Sequence, residues 1–258
     1  MDSHDMLQGH EWKILSKFGL HNPFWTLQAD TLTSTFFIVS IIVVGSLYIN
    51  KCLQNKDSLV RFVTLQYVQA FRDLVFQTLK SVPLNHLSFI GSLFTFILLC
   101  NTVQLFPGFE EPTKDLNTTL ALGLIAFFYI QFYAINVHGL KNYLAGFLDP
   151  FFLMLPLNII GTLTLIISLS FRLFGNIFGG YIITGLYTKM ISGSFLFQTF
   201  ALLSGLNLLM MFVFGVFEGI IQAFVFSMLT LTYLSIEIIS EDTDENENQD
   251  NLNEKLNQ

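Results

Sequence analysis

Residues 168–180 read SLSFRLFGNIFGG, and this stretch decides the fold. It lies inside a long apolar run, yet it carries Arg172. A full positive charge at mid-bilayer costs about 2.5–3.5 kcal/mol on insertion scales, and more in simulations of an isolated helix. A chain that keeps such a residue at such a depth has a use for it.

The rest of the chain shows that a bilayer is the right reference. Of 258 residues, 52% are hydrophobic and only 12% charged, with 29 Phe. A soluble domain carries about twice that fraction of charge. Several apolar stretches reach the roughly 20 residues with which a helix spans a membrane. The alternating segments of about ten residues that mark a membrane β-barrel do not occur. The sequence therefore predicts an all-α polytopic membrane protein. It has about five membrane helices plus one amphipathic helix, the last two membrane helices being long and strongly tilted as a hairpin.

The spans are expected at about 33–53, 84–106, 116–137, 150–190 and 195–240, with a polar N-terminal segment over 1–32. The first 33 residues have no apolar core, so no cleaved signal peptide is expected. Between the first two spans, Val60, Val63, Tyr67, Phe71 and Leu74 recur at helical spacing. Polar side chains cover the other side, so 57–80 reads as an amphipathic helix on the membrane surface or packed beside it. The segment 51–80 holds Lys51, Lys56, Arg61, Arg72 and Lys80 out of twelve basic residues. It is expected to face the cytoplasm or its equivalent. The loop GFEEPTKDLN, with Glu110, Glu111 and Asp115 against Lys114, is then expected outside, and 138–150 inside.

The net charge of −7 is misleading, because seven of the 19 acids fall in the tail 241–258. That tail has almost no apolar side chains and reads as solvated and disordered. Two cysteines, Cys52 and Cys100, give no disulfide framework and no metal-ligand spacing. No nucleic-acid motif, phosphate loop or nucleophile elbow occurs, and neither a metal nor a cofactor is expected.

From Asp149-Pro150 to Glu237 the only charged residues are Arg172, Lys189 and Glu218. A small-residue break at KMISGSF splits this region into two helices. Each would be roughly 60 Å long at 1.5 Å per residue, twice the hydrocarbon thickness, so neither can stand upright. Arg172 lies too far from both ends of its run to reach the headgroups by snorkelling from an upright helix. Ser168, Arg172, Gly175, Asn176 and Gly179 share a small, polar face by three-and-four spacing. Gly175 and Gly179 are the type of residue that lets helices pack closely in lipid. Glu218, Gln222 and Asn207 form a similar face on the second helix. Two readings stand for Arg172 and Glu218: a structural ion pair, or a titrating carboxyl beside a fixed cation on an ion path.

SLSFRLFGNIFGG followed about forty residues later by IIQAFVFSMLTLTYLS closely resembles subunit a of rotary F-type ATP synthases. Weaker matches at 105–124 and 138–161 extend the likeness over most of the chain. The resemblance implies a stator subunit with no ATP chemistry of its own, part of a proton-transporting two-sector complex. It implies as partners the c-ring subunits, each with a buried carboxylate, the peripheral-stalk b subunits and membrane lipid, and no nucleic acid. Arg172 matches the family's essential arginine, facing the c-ring carboxylate between two offset half-channels. Asn176 and Gln222 match polar positions flanking it, and Asp115 and Asn117 match a polar loop near the outer inlet. Ser168 and Tyr181 are expected along the proton path, and Glu218, one turn from Gly215 on roughly the same face, is expected to take over the carboxylate role there. Two positions depart from the pattern: Tyr181 and Gly215 stand where many relatives carry an ionisable residue. A cell inner membrane is implied, bacterial first and mitochondrial second. The alternative is an independent ion channel or secondary transporter built on the Arg172–Glu218 pair. A membrane-embedded hydrolase would need a base near Ser168 or Ser170, and the sequence offers no His there.

Overall fold

Helix boundaries in this chain fall where the sequence removes a hydrogen-bond donor or admits left-handed backbone. The computed structural model describes residues 11–12, 27–54, 59–105, 109, 111–146, 153, 155–192, 205 and 209–256. α1 spans Ala29–Leu53 and α2 spans Leu59–Leu79, after which Lys80 turns left-handed at φ 54°. Pro83, fixed in an extended conformation, precedes α3, Leu84–Thr102. α3 continues as a 3-10 turn over Val103–Leu105. A second 3-10 turn, Pro112–Lys114, leads into α4, Leu116–His138. Gly139, at φ 79°, ends α4 and opens the short α5, Leu140–Gly146. α6 spans Leu155–Ser192 with Pro156 in its first turn, where the missing N–H costs nothing. A π-helical stretch, Met211–Phe217, runs directly into α7, Glu218–Leu256.

Among the described residues, five helices are long and apolar enough to cross a membrane: Thr31–Leu53, Leu84–Thr102, Leu116–His138, Leu155–Ile191 and Phe212–Ile238. These correspond to the five spans read from the sequence; four have ends shifted by a few residues, and the fifth begins at Phe212 rather than about 195, with 193–204 and 206–208 outside the described residues. α1 begins inside the segment expected to be an N-terminal arm. The strand pair Glu11–Trp12 and Leu27–Gln28 lies antiparallel, Glu11 opposite Gln28. The expected turn after Lys189 and the residue Asn207 lie outside the described residues.

α7 and α4 are the centre of the bundle. α7 packs mainly against α3 and α4, and α6 mainly against α4. The long pair is therefore less of a two-helix hairpin than the sequence suggests, because α4 supplies much of the apolar face that each covers. The core is formed by Leu93, Ile97, Ala126, Ile130, Leu169, Leu173, Ala223, Phe226, Leu231 and Leu234, all buried. Their three-and-four spacing on each helix is the stripe that buries apolar area against a neighbour. In lipid, every polar group needs an internal partner. Thr95, Thr162, Thr164, Thr230 and Thr232 each donate to the carbonyl four residues earlier, which removes the cost of their hydroxyls.

α2 packs beside the bundle rather than standing apart from it. Phe71, Val75 and Leu79 are buried, and Tyr67 donates to the Gly91 carbonyl of α3 at 3.0 Å. Ser235 of α7 donates to the Thr78 carbonyl at 3.0 Å. The stripe that packs is Tyr67, Phe71, Val75 and Leu79, so Val63, expected on it, is exposed.

α7 keeps helical backbone through Leu256, whereas the acidic composition of 241–258 predicts disorder. Propagating an existing helix adds one hydrogen bond per residue fixed, so a polar run can continue a helix that it could not nucleate.

Candidate functional site

The site lies where α6 and α7 cross near the loop before α4. On α6, Leu165, Ile166, Leu169, Ser170, Leu173, Ile177 and Gly180 face the bundle and are buried. Arg172, Gly175 and Asn176 are exposed on the flank beside them, with Ser168 and Gly179 half-buried. Arg172 makes no hydrogen bond or ion pair among the described residues.

Two contacts fix the register of α6 against α7. Asn176 Nδ2 donates to Gln222 Oε1 at 2.6 Å. A Cβ added to Gly180 would come within 3.2 Å of both Glu218 Oε2 and a Phe214 ring carbon. The two contacts agree on one antiparallel register, which sets Arg172 level with Phe226. Glu218 then stands two turns away along the axis, roughly 12 Å at 1.5 Å per residue. That offset is why the structural Arg172–Glu218 pair does not form, and it corrects the first reading of the two residues.

The π turn sets the orientation of Glu218. The Glu218 N–H donates to the Val213 carbonyl, five residues back. Such a turn holds one residue more than an α turn, a feature frequent at functional sites. Gln222, one α turn later, is only 1% exposed. Its Oε1 is satisfied by Asn176, while its Nε2 has no partner among the described residues.

The glycine expectation needs correction. A Cβ on Gly175 or Gly179 would meet nothing within 4 Å among the described residues, so neither glycine packs against a described helix. The close contacts are at Gly180, at Gly219, where a Cβ would lie 3.0 Å from Asn101 Cβ, and at Gly123, where it would collide with Ser170 Oγ. Spacing alone does not separate a small residue on a packed face from one on an open face.

The loop before α4 folds inward. Glu111, Pro112 and Thr113 are buried, although a charged loop between spans reads as solvated. The cause is a chain of polar contacts. Thr113 Oγ1 donates to Asn101 Oδ1 at 2.8 Å, and Asn101 Nδ2 donates to the Gly219 carbonyl at 3.3 Å. Phe37 of α1 stacks on Phe109, with ring centroids 4.2 Å apart. Asp115 caps α4, its side chain accepting from the Asn117 N–H at 3.1 Å. Asn117 is itself exposed. Lys114 Nζ sits 5.0 Å from the centroid of the Tyr181 ring, within cation–π range.

Glu111 is the residue that the sequence did not single out. It is 9% exposed, and its Oε1 has no partner among the described residues. Burial pushes its carboxyl up to about 8; the Glu218 charge adds to the rise and Lys114 opposes it. The one available signal was its place next to Pro112 before a helix, which does not by itself imply burial.

A second polar group lies at the other end of α4. His138 Nε2 donates to the Glu237 carbonyl of α7 at 2.8 Å, and the Tyr143 hydroxyl donates to Gln131. Burial, with the Glu237 charge adding to it, pushes the Tyr143 hydroxyl up to about 12. Titratable groups therefore stand toward both ends of the membrane-length stretch Phe212–Ile238, Glu218 and Glu111 at one and Glu237 and His138 at the other. Arg172 is at a level between them.

Residues 31–235 match the family model described as ATP synthase A chain. The chain belongs to the ATP synthase A chain family. ATP synthase subunit a 2 of Acaryochloris marina is 34% identical over 207 residues, covering 80% of this chain and 83% of that protein. ATP synthase subunit a of Nitrosospira multiformis is 33% identical, covering 80% and 78%, and that of Moorella thermoacetica 32%, covering 80% and 89%. The family match begins in α1 and ends in α7, so it contains four of the five membrane-length helices whole, the fifth up to residue 235, and every site residue but Glu237. A member of this family with five such helices is a multi-pass membrane protein.

Proposed function

We propose that the chain is the proton-translocating stator subunit in the membrane sector of an ATP synthase, working against a rotating ring of c subunits. It has no ATP chemistry of its own and acts as a component of the two-sector complex, beside peripheral-stalk b subunits, in a cell inner membrane. The observation that carries this reading is Arg172: a membrane-level cation, exposed on a small-residue face and unpaired among the described residues. An arginine stays charged at any physiological pH. Its partner is then a carboxylate that comes from outside the chain. Gly175 and Gly179, where an added Cβ would meet nothing within 4 Å among the described residues, let that carboxylate pass at short range.

In this reading the c-ring carboxylate is drawn to Arg172 in its ionised form and moves on once protonated. Because Arg172 repels protons, it closes the straight path between two half-channels. Asn176 and Gln222 hold the arginine's helix in register. Ser168 stands one turn from Arg172 on the same face. The outer half-channel runs past Asp115, Asn117, Tyr181 and Glu218, and the inner one leaves beside Glu237 and His138. The membrane potential supplies about 2.3 kcal/mol per charge per 100 mV, and the offset of the two half-channels converts it into rotation.

The alternative is an independent channel or transporter using an Arg172–Glu218 pair. The register that separates the two residues weighs against it. Arg172→Ala tests both readings in membrane vesicles containing the assembled complex. Loss of ATP-driven and gradient-driven proton movement with normal subunit content is expected. Coupled pumping at the normal rate in that variant overturns the stator reading. Proton transport by the purified chain alone in liposomes would establish the alternative.

A further inference from the structure

We propose that Glu111 is the outer proton-carrying residue of this subunit and exchanges its proton with Glu218. The inference rests on the stator reading and adds a residue to its outer path. Three observations of geometry carry it. The loop bearing Glu111 is fixed to the first turn of α7 by the hydrogen-bond chain Thr113–Asn101–Gly219, and Glu218 is the residue before Gly219. Glu111 is a carboxyl at 9% exposure with an oxygen that has no partner among the described residues. A buried carboxyl oxygen without a donor costs stability and is rarely kept without a use. Thirdly, Gln222 Nε2, one turn beyond Glu218, is likewise buried and unpartnered among the described residues, so the polar surface continues from Glu218 toward Asn176.

Among the described residues, titratable groups lie near Glu111 on α7, on α3 and on its own loop. Glu218 on α7 and Lys114 on its own loop act on its charge in opposite senses. Cys100 of α3 lies within range of its charge, and α6 presents Tyr181, over which Lys114 sits. α1 meets the loop through an apolar contact, Phe37 on Phe109. In the inward direction a water-borne proton forms an O–H bond on the Glu111 carboxylate. That bond then breaks, its electron pair stays on Glu111, and the proton forms the O–H bond of Glu218. ATP-driven pumping runs the same steps in reverse. No oxidant, reductant or metal is required.

The test uses inverted vesicles carrying the whole complex, with passive proton flux measured after removal of the soluble head at a series of luminal pH values. Glu111→Gln, which keeps shape and hydrogen-bonding capacity, is expected to lower flux at least ten-fold at normal subunit content, and Glu111→Asp to restore most of it. Lys114→Gln leaves Glu111 in place and removes the cation that favours its ionised form. Its flux is expected to persist to higher pH, with the midpoint of the profile shifted upward. A purely structural role for Glu111 would leave that midpoint unmoved. Flux within two-fold of wild type in Glu111→Gln, or an unchanged midpoint in Lys114→Gln, overturns the proposal. If Glu111→Gln does not assemble, the Lys114→Gln midpoint decides. Arg172→Ala in the same vesicles separates the two levels. Its loss of flux together with wild-type behaviour in both other variants removes Glu111 and leaves the stator reading intact.

Discussion

Asn176 and Gln222 are joined by a 2.6 Å hydrogen bond that locks α6 against α7 in one register. Gln222 is almost fully buried, so the bond works where an orphaned amide is costly. Through it, the exposed arginine on one helix is held at a defined depth relative to the carboxylates on the other.

Removing one partner should therefore hurt more than removing both. Asn176→Leu leaves Gln222 with no acceptor or donor satisfied, at a cost of about 1–3 kcal/mol. Asn176→Leu combined with Gln222→Met should recover most of that thermal stability in the purified complex while proton flux stays low. A double variant that melts no higher than Asn176→Leu would show that the bond does not set the register.

Glu218→Gln should slow proton flux in both directions while the complex assembles at normal subunit content. Its carboxyl is only half-buried and faces a glycine, so the amide fits the same space. Flux equal to wild type at several pH values would return Glu218 to a structural role.

Gly180 and Gly175 should respond oppositely to the same change. Gly180→Val pushes branched carbons into Phe214 and Glu218, and overpacking of this kind costs about 1–3 kcal/mol. Reduced recovery of the assembled subunit is expected. Gly175→Val meets open space within the chain and should assemble normally, yet lose proton flux because the face presented to the passing carboxylate has grown. Normal flux in Gly175→Val would mean that nothing approaches that face.

Burial of Glu111 should also leave a mark on stability. Its folded value, about 8, is raised above that of an exposed glutamate, so the native state holds this proton more tightly than the unfolded chain. Stability falls as pH rises from the exposed glutamate range, roughly 4.3, to about 8 and is insensitive to this group outside that window. Melting temperatures of wild type and Glu111→Gln should therefore diverge from pH 5 to pH 8, with the wild type losing more. Parallel curves would contradict a buried, ionisable Glu111.

Asp115 is expected to matter first as a helix cap. Asp115→Ala should cost about 1 kcal/mol, and Asp115→Asn, which keeps the acceptor, much less. Equal destabilisation by the two substitutions would show that charge rather than capping is at work.

The residues legible in the sequence were those whose chemistry conflicts with their surroundings. Arg172 stands out because a charge in an apolar run has few explanations, and Asn176 and Gln222 follow from the same face on each helix. The five spans were legible for a similar reason, since length and apolarity alone define them. Glu111 was not, because an acid in a charged loop looks solvated until the Thr113–Asn101 contact draws the loop inward. Gly175, Gly179 and Gly180 look alike in sequence, and only the neighbouring helix distinguishes them. The packing of α4 against both long helices is likewise a tertiary fact that no local pattern encodes.

The π turn at Met211–Phe217 has a consequence for comparing this chain with its relatives. One surplus residue is accommodated there within the helix itself. A helical wheel drawn straight through 209–222 is therefore out of phase by roughly 100° on the near side of the turn. A relative lacking that residue could present a titratable side chain in the same direction from a different position in its own sequence. Equivalence across this segment is a matter of azimuth about the helix axis, so a column of aligned letters there can pair side chains that point at different neighbours.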